Sequence, residues 1–410
     1  MKKTSLLWII GFFLLSQNSF AGGSSYSRYG KGDILYFGGS RAYALGGCGI
    51  ATIGNNYLNQ FNPAGLSRLL ITQFSGSFEN STISSSTQNG SSKYNTFGIQ
   101  SFFIAIPISI EDGIALSLEY TPYSQVAYAI RSTSEQAGYL RTNTFYGNGG
   151  LATLAAGLSL SITNDIHIGA KVVYDFGRTE QYIKTDFTNS DILDTEIEHS
   201  YGYHGFGSSF GIIVERIGKH LNIKWLEPLT LGLTFSPPLS LSTDYQTYYP
   251  TYDTTITLQS GYSDLPLSFG AGMSYNLNKS YILVSDIQAQ QWDRAKIFGQ
   301  PEASLRNSIR FGIGCERVPN RQETSFWKRS SYRVGAYYHS TYYDINGKGI
   351  DELGVTAGIG FPIRMLGKLD LGFQYSTRGV TDQNLQKDSF YRISLGLTVN
   401  ERWFLKFEED

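Results

Sequence analysis

The sequence predicts an all-β protein: a 14-stranded antiparallel transmembrane β-barrel with an N-terminal hatch inside its lumen. Three observations predict it. From about residue 70 onward, apolar residues recur at every second position in segment after segment, the period of strands with one apolar face. The 410-residue chain holds 45 Gly, 29 Tyr and 25 Phe against 16% charged residues, a composition suited to a wall that meets lipid. A secretory leader opens the chain.

The leader has a basic start in Lys2 and Lys3, an apolar core over 6–15 and a small-x-small cleavage site at Ser19-Phe20-Ala21. The expected division is a signal peptide at 1–21, a hatch at 22–68 and a barrel at 69–410. The leader's apolar core is too short to span a bilayer, and no cysteine at the cleavage site offers a lipid anchor. The best later apolar run, 102–110, is short and broken by Pro107 and Ser109. Alternating strands average to near-neutral hydropathy, so a helix-based hydropathy reading would miss a barrel. Formal net charge is −1, which gives no sign of a nucleic-acid partner.

The strand pattern is plain in several places. Ile166, Ile168, Val172 and Tyr174 alternate with His167, Gly169, Lys171, Val173 and Asp175. The first set is expected to face lipid, and His167, Lys171 and Asp175 the lumen. Leu229, Leu231, Leu233 and Phe235 alternate with Thr230, Gly232 and Thr234, and Tyr391, Ile393, Leu395 and Leu397 do the same near the end. Strands are expected at roughly 70–79, 95–109, 112–131, 145–163, 165–180, 200–215, 228–247, 253–276, 280–292, 304–316, 330–342, 351–362, 368–378 and 388–400. Several exceed the roughly 9–11 residues that cross a bilayer, so they project beyond it. Tight turns at Glu111-Asp112-Gly113, Asn164-Asp165 and Asn278-Lys279 read as periplasmic, and the polar stretches 80–93 and 181–199 as long outer loops. The connectors 216–227 and 317–329 are long on the expected short side.

A barrel of this width is not filled by its own side chains, and the glycine-rich stretch 22–68 is placed to fill it. It contains the run Arg41-Ala42-Tyr43-Ala44-Leu45-Gly46-Gly47-Cys48-Gly49-Ile50-Ala51, then Phe61 and the motif Asn62-Pro63-Ala64. Gly46, Gly47 and Gly49 permit tight backbone turns. Asn-Pro also simply starts turns, but its place between a leader and a strand series favours the hatch. This order resembles the N-terminal hatch of the FadL-like outer-membrane transporters of long-chain fatty acids and other hydrophobic compounds. A second stretch is similar too: Asp264-Leu265-Pro266 opens a strand ending at Tyr275, followed by a turn and a strand from Tyr281 to Trp292 with Asp286 inside. In that family the third strand carries a kink that opens the wall. Here Pro122 stands in the third strand, where it also suits the strand's exit from the membrane.

The resemblance implies passive transport of hydrophobic small molecules across a bacterial outer membrane, with a pocket above a movable hatch and a lateral exit. Expected partners are such molecules and outer-membrane lipid. The alternative on the same fold is a barrel for protein secretion or assembly, similar to type IX secretion shuttle barrels, with secretion partners. An outer-membrane enzyme ranks lower. Gly207-Ser208-Ser209-Phe210-Gly211 fits the G-x-S-x-G pattern of serine hydrolases, but it lies within a strand rather than a strand–turn–helix elbow. Asp344, Asn346 and Gly349 lack the acids of a calcium loop, and His167, His199, His204, His220 and His339 lack metal-ligand spacing. No catalytic residue, metal or cofactor is therefore expected. Cys48 and Cys315, the only cysteines, are placed in the hatch and in a strand, and spacing does not say whether they meet.

Overall fold

The computed structural model describes residues 23–401, apart from 37, 56, 89, 137–138, 189–191, 251–253, 320–324, 364–366 and 383–384. The expected signal peptide lies outside the described residues. Seventeen hydrogen-bonded segments close into one barrel. Three strands are each interrupted once, so the seventeen segments make fourteen antiparallel strands.

In order these are β1 (Thr72–Thr87), β2 (Gly90–Ser109), β3 (Ile114–Pro122 and Tyr128–Gln136), β4 (Tyr139–Ser161) and β5 (Ile166–Phe187). Then come β6 (Thr195–Val214), β7 (Leu229–Ser236 and Leu239–Tyr249), β8 (Thr254–Leu265 and Ser268–Asn276) and β9 (Tyr281–Gln290). The last are β10 (Ser308–Arg317), β11 (Ser331–Ile345), β12 (Lys348–Ile363), β13 (Gly367–Arg378) and β14 (Lys387–Glu401). Pairing of β1 with β14, from Thr72↔Glu401 to Ser86↔Lys387, closes the ring. The end holding the start of β1 and the end of β14 is the periplasmic one in barrels of this type.

All three interruptions carry proline: Pro122 ends the first piece of β3, Pro237 and Pro238 divide β7, and Pro266 divides β8. Proline has no N–H to give the ladder, so each break falls where the chain cannot continue it.

The alternation sorts the wall into two faces. Val172 is 61% exposed, whereas His167, Lys171 and Asp175 are buried on the inner face. Leu118, Leu233, Phe311, Val334, Val355 and Ile393 continue the outward apolar belt on other strands. No helix among the described residues is long and apolar enough to cross a membrane; strands do the crossing, which makes this an outer-membrane protein of the β-barrel type.

The expected outer loops at 80–93 and 181–199 are corrected. Most of both is strand: β1 and β2 pair up to Thr87↔Gly90, and β5 and β6 pair up to Thr185↔Thr195. Their Ser- and Thr-rich sequence looks loop-like in composition, yet it keeps the strand period and extends the barrel into water. The connectors 215–228 and 318–330 are long as expected. The first carries a helical turn, Ile217–Leu221, and a 3-10 turn, Lys224–Leu226. At this rim Asp165 is buried, which raises its carboxyl pKa, but hydrogen bonds from Arg216 and Lys219 outweigh burial and hold it below the ordinary range.

Among the described residues, 23–68 contains only short elements: 3-10 turns at Ser25–Arg28 and Pro63–Leu66, a helical turn at Gly39–Tyr43 and a two-residue strand at Asp33–Ile34. The segment touches strands all around the wall, which only the lumen permits.

Candidate functional site

The luminal segment winds around the wall in the reverse of strand order, and glycines make the room. Four pairs of glycines face each other across neighbouring strands: Gly358↔Gly372, Gly314↔Gly335, Gly232↔Gly272 and Gly169↔Gly211. A Cβ added at Gly372 would lie 3.0 Å from the Tyr43 ring, at Gly314 2.7 Å from Leu45 O, at Gly232 2.6 Å from Ile50 O, and at Gly169 2.5 Å from Ala64 N. At Gly211 it would strike the Asn62 side chain. Backbone of the segment therefore lies directly on backbone of the wall, an approach only glycine allows.

Between these seats the contact is polar. Asp286 of β9, buried among them, accepts from Gly49 N at 2.6 Å and Ile50 N at 2.9 Å through one carboxylate oxygen. Arg41 donates to Glu316 of β10 at 2.5 Å, and Glu316 also accepts from Arg333 of β11 at 2.8 Å. Arg333 in turn reaches Asp370 of β13 at 2.6 Å. Higher up, Asp33 accepts from Arg378 of β13 at 2.8 Å. Buried charges are tolerated only when paired and hydrogen-bonded, and this chain of ions is paired throughout.

Asn62, Pro63 and Ala64 lie deep in this contact. Asn62 is fully buried and uses its whole amide. Its oxygen accepts from Ala64 N at 3.1 Å, capping the 3-10 turn that Pro63 starts. Its NH₂ donates to Ile50 O at 3.0 Å, and to Ile212 O of β6 and Leu233 O of β7, each at 3.2 Å. Nearby, Lys171 donates to Gln60 O at 2.6 Å and pairs with Glu119 at 2.5 Å. His167 meets Ser67 at 2.8 Å and Glu215 at 2.9 Å. The G-x-S-x-G stretch lies within β6, and its final glycine, Gly211, is the seat of Asn62.

After Pro122, β3 leaves the wall. Ser124 and Gln125 pair with Ile34 and Asp33 of the luminal segment, and Leu35 N donates to Tyr123 O at 2.9 Å. The strand resumes at Tyr128 and pairs with β4 alone. Strand β2 meets β3 only through its stretch from Phe102 to Ser109. Among the described residues, 90–101 of β2 has no strand on that edge, which leaves a gap in the wall beside the inward bend.

The lumen is crowded. On the outer side the rings of Trp292, Tyr342 and Tyr343 pack at a tilt with centroids 4.6 and 4.5 Å apart, together with Tyr26, Tyr203 and Leu241. A cavity of about 100 Å³ remains between the segment and strands β1, β2 and β10–β14, and Glu79, Glu352, Arg310, Arg378 and Arg392 line it. This is a charged hollow, where the family resemblance implied an apolar ligand pocket.

Both cysteines are free. Cys48 faces the inner side of β10 at Gly312, whereas Cys315 sits on the outward row with Phe311 and Ile313. The wall separates them. Sequence reasoning missed the partners Asp33–Arg378, Arg41–Glu316 and Arg333–Asp370; the first two join residues 345 and 275 positions apart, the third joins two wall strands, and none has a local signal.

The same fold is seen in solved structures. A Pseudomonas aeruginosa FadL homologue superposes with a TM-score of 0.59 at 13% identity, covering 90% of this chain and 99% of that one. The Ralstonia pickettii toluene transporter TbuX gives 0.56 at 14% identity, covering 88% and 98%. The Pseudomonas putida toluene transporter TodX gives 0.55 at 12% identity, covering 90% and 99%. The fold is thus that of the FadL-like barrels. No curated protein matches the chain in sequence. A family model described as BamG matches residues 1–408, and the chain belongs to the BamG family.

Proposed function

We propose that this chain passes hydrophobic small molecules, long-chain fatty acid-like, across the outer membrane without catalysis. Residues 23–68 act as a hatch, held in place by the Asn62-Pro63-Ala64 turn, and Pro122 starts the kink in β3. The observation that carries this reading is the broken β3, whose inward bend is paired to the hatch while the adjoining edge of β2 stays open. An apolar molecule released beside that edge enters lipid without crossing the polar rim. The solved relatives named as toluene transporters supply the ligand class. In the present state the lumen is filled by side chains and by a charged cavity, so passage requires the hatch to come off its glycine seats.

A second reading, a barrel serving protein secretion or assembly, is favoured by a different observation. An apolar hollow of about 530 Å³, bounded by Phe210, Leu233, Phe235, Phe269 and Ile287, lies on the lipid-facing side of β6–β9. A hollow there suits a membrane partner rather than a luminal ligand.

Deleting 23–68 tests the first reading, by liposome swelling beside uptake of a labelled fatty acid. The deleted barrel is expected to pass small polar solutes and to lose selective fatty-acid uptake. Unchanged swelling and uptake would sink the hatch, and a tight complex with secreted proteins in place of uptake would favour the second reading.

A further inference from the structure

The periplasmic mouth holds a third hollow, of about 310 Å³, lying between β1, β11–β14 and both ends of the 318–330 connector. Its polar lining is Gln73, Arg329, Ser331, Lys368, Thr398 and Asn400, and among the described residues no carboxylate lines it. Three buried polar atoms there have no hydrogen-bond partner: Gln73 Oε1, Asn400 Oδ1 and Arg329 Nε. Gln73 is 1% exposed, and its amide nitrogen is held by Asn55 O at 3.2 Å, so its oxygen is fixed as an unmet acceptor. An unmet buried acceptor or donor is costly, and a ligand that meets it recovers that cost on binding.

The geometry points to a binding site for an acidic peptide segment. Arg329 and Lys368 supply cationic donors for a carboxylate. The Gln73 and Asn400 oxygens call for hydrogen-bond donors, which a peptide backbone carries at every residue and the phosphodiester group itself lacks. Phe361, with Pro319 and Pro362, forms an apolar wall for one side chain of the peptide. Lys368 also pairs with Asp370 Oδ2 at 3.4 Å, but Arg41, Arg333 and Lys368 face only Glu316 and Asp370, so the cluster keeps positive charge to share. The site lies at the periplasmic mouth, apart from the β3 gap, and does not depend on the transport reading.

The test uses the full chain in detergent and a fluorescein-labelled peptide of alternating glutamate and tyrosine, read by anisotropy. Saturable binding is expected, weakened by salt at about 0.5 M, and at least about tenfold weaker for the glutamine-for-glutamate peptide. Arg329→Gln with Lys368→Gln is expected to lose about tenfold or more, and Gln73→Leu a smaller factor, with the heat-modifiable gel shift of a folded barrel retained. Binding of short-chain phosphatidylglycerol in place of the peptide would overturn the proposal. So would peptide binding that the double variant leaves unchanged.

Discussion

Asp286 holds the amide of Gly49 at 2.6 Å, and that of Ile50 at 2.9 Å through the same oxygen. A strand carboxylate thereby pins the luminal segment between the glycine seats on β8 and β10. Asp286→Ala strands two buried amides, at about 1–3 kcal/mol each. Limited proteolysis is expected to cut 23–68 faster in this variant, while the barrel keeps its heat-modifiable mobility. Asp286→Asn keeps an acceptor and is expected to fall between it and the native chain.

The wall glycines predict a position-dependent effect within one strand. At Gly211 of β6 a Cβ would strike Asn62, whereas at Gly202 nothing lies within 4 Å. Gly211→Ala is therefore expected to raise liposome swelling and to lower the thermal stability of the segment. Gly202→Ala is expected to change neither.

Those seats also show where sequence reading ends. Strand number and the inward set His167, Lys171 and Asp175 were legible, because each rests on period. The outer hairpins were misread: 80–93 is polar enough to resemble a loop, although its Asn89-Gly90 dipeptide is a hairpin signal. The glycine pairs were not legible, since pairing Gly169 with Gly211 requires a register that no single strand contains. For the same reason the hollow formed by Gln73, Arg329 and Asn400 left no motif.

The lipid-facing register is tested by charge. Val172→Lys places an ammonium on the apolar belt and is expected to cost about 2–4 kcal/mol near the bilayer centre. Urea unfolding from vesicles measures it. A silent Val172→Lys would mean that the outward row has been assigned to the wrong face.

Because the barrel wall separates Cys48 from Cys315, no intramolecular disulfide is expected. Alkylation of the unfolded, unreduced chain should add two labels by mass spectrometry.

The central claim, that passage requires the luminal segment to leave the wall, has one direct test. A Cβ at Gly312 would stand 2.8 Å from Cys48 Sγ, so Gly312→Cys, with Cys315→Ser, places a thiol within disulfide reach and tethers the segment to β10. Uptake of a labelled fatty acid is then measured in vesicles under oxidising and reducing conditions. Uptake is expected to be blocked when the tether is closed and restored on reduction. Equal uptake with the tether closed and open would contradict it.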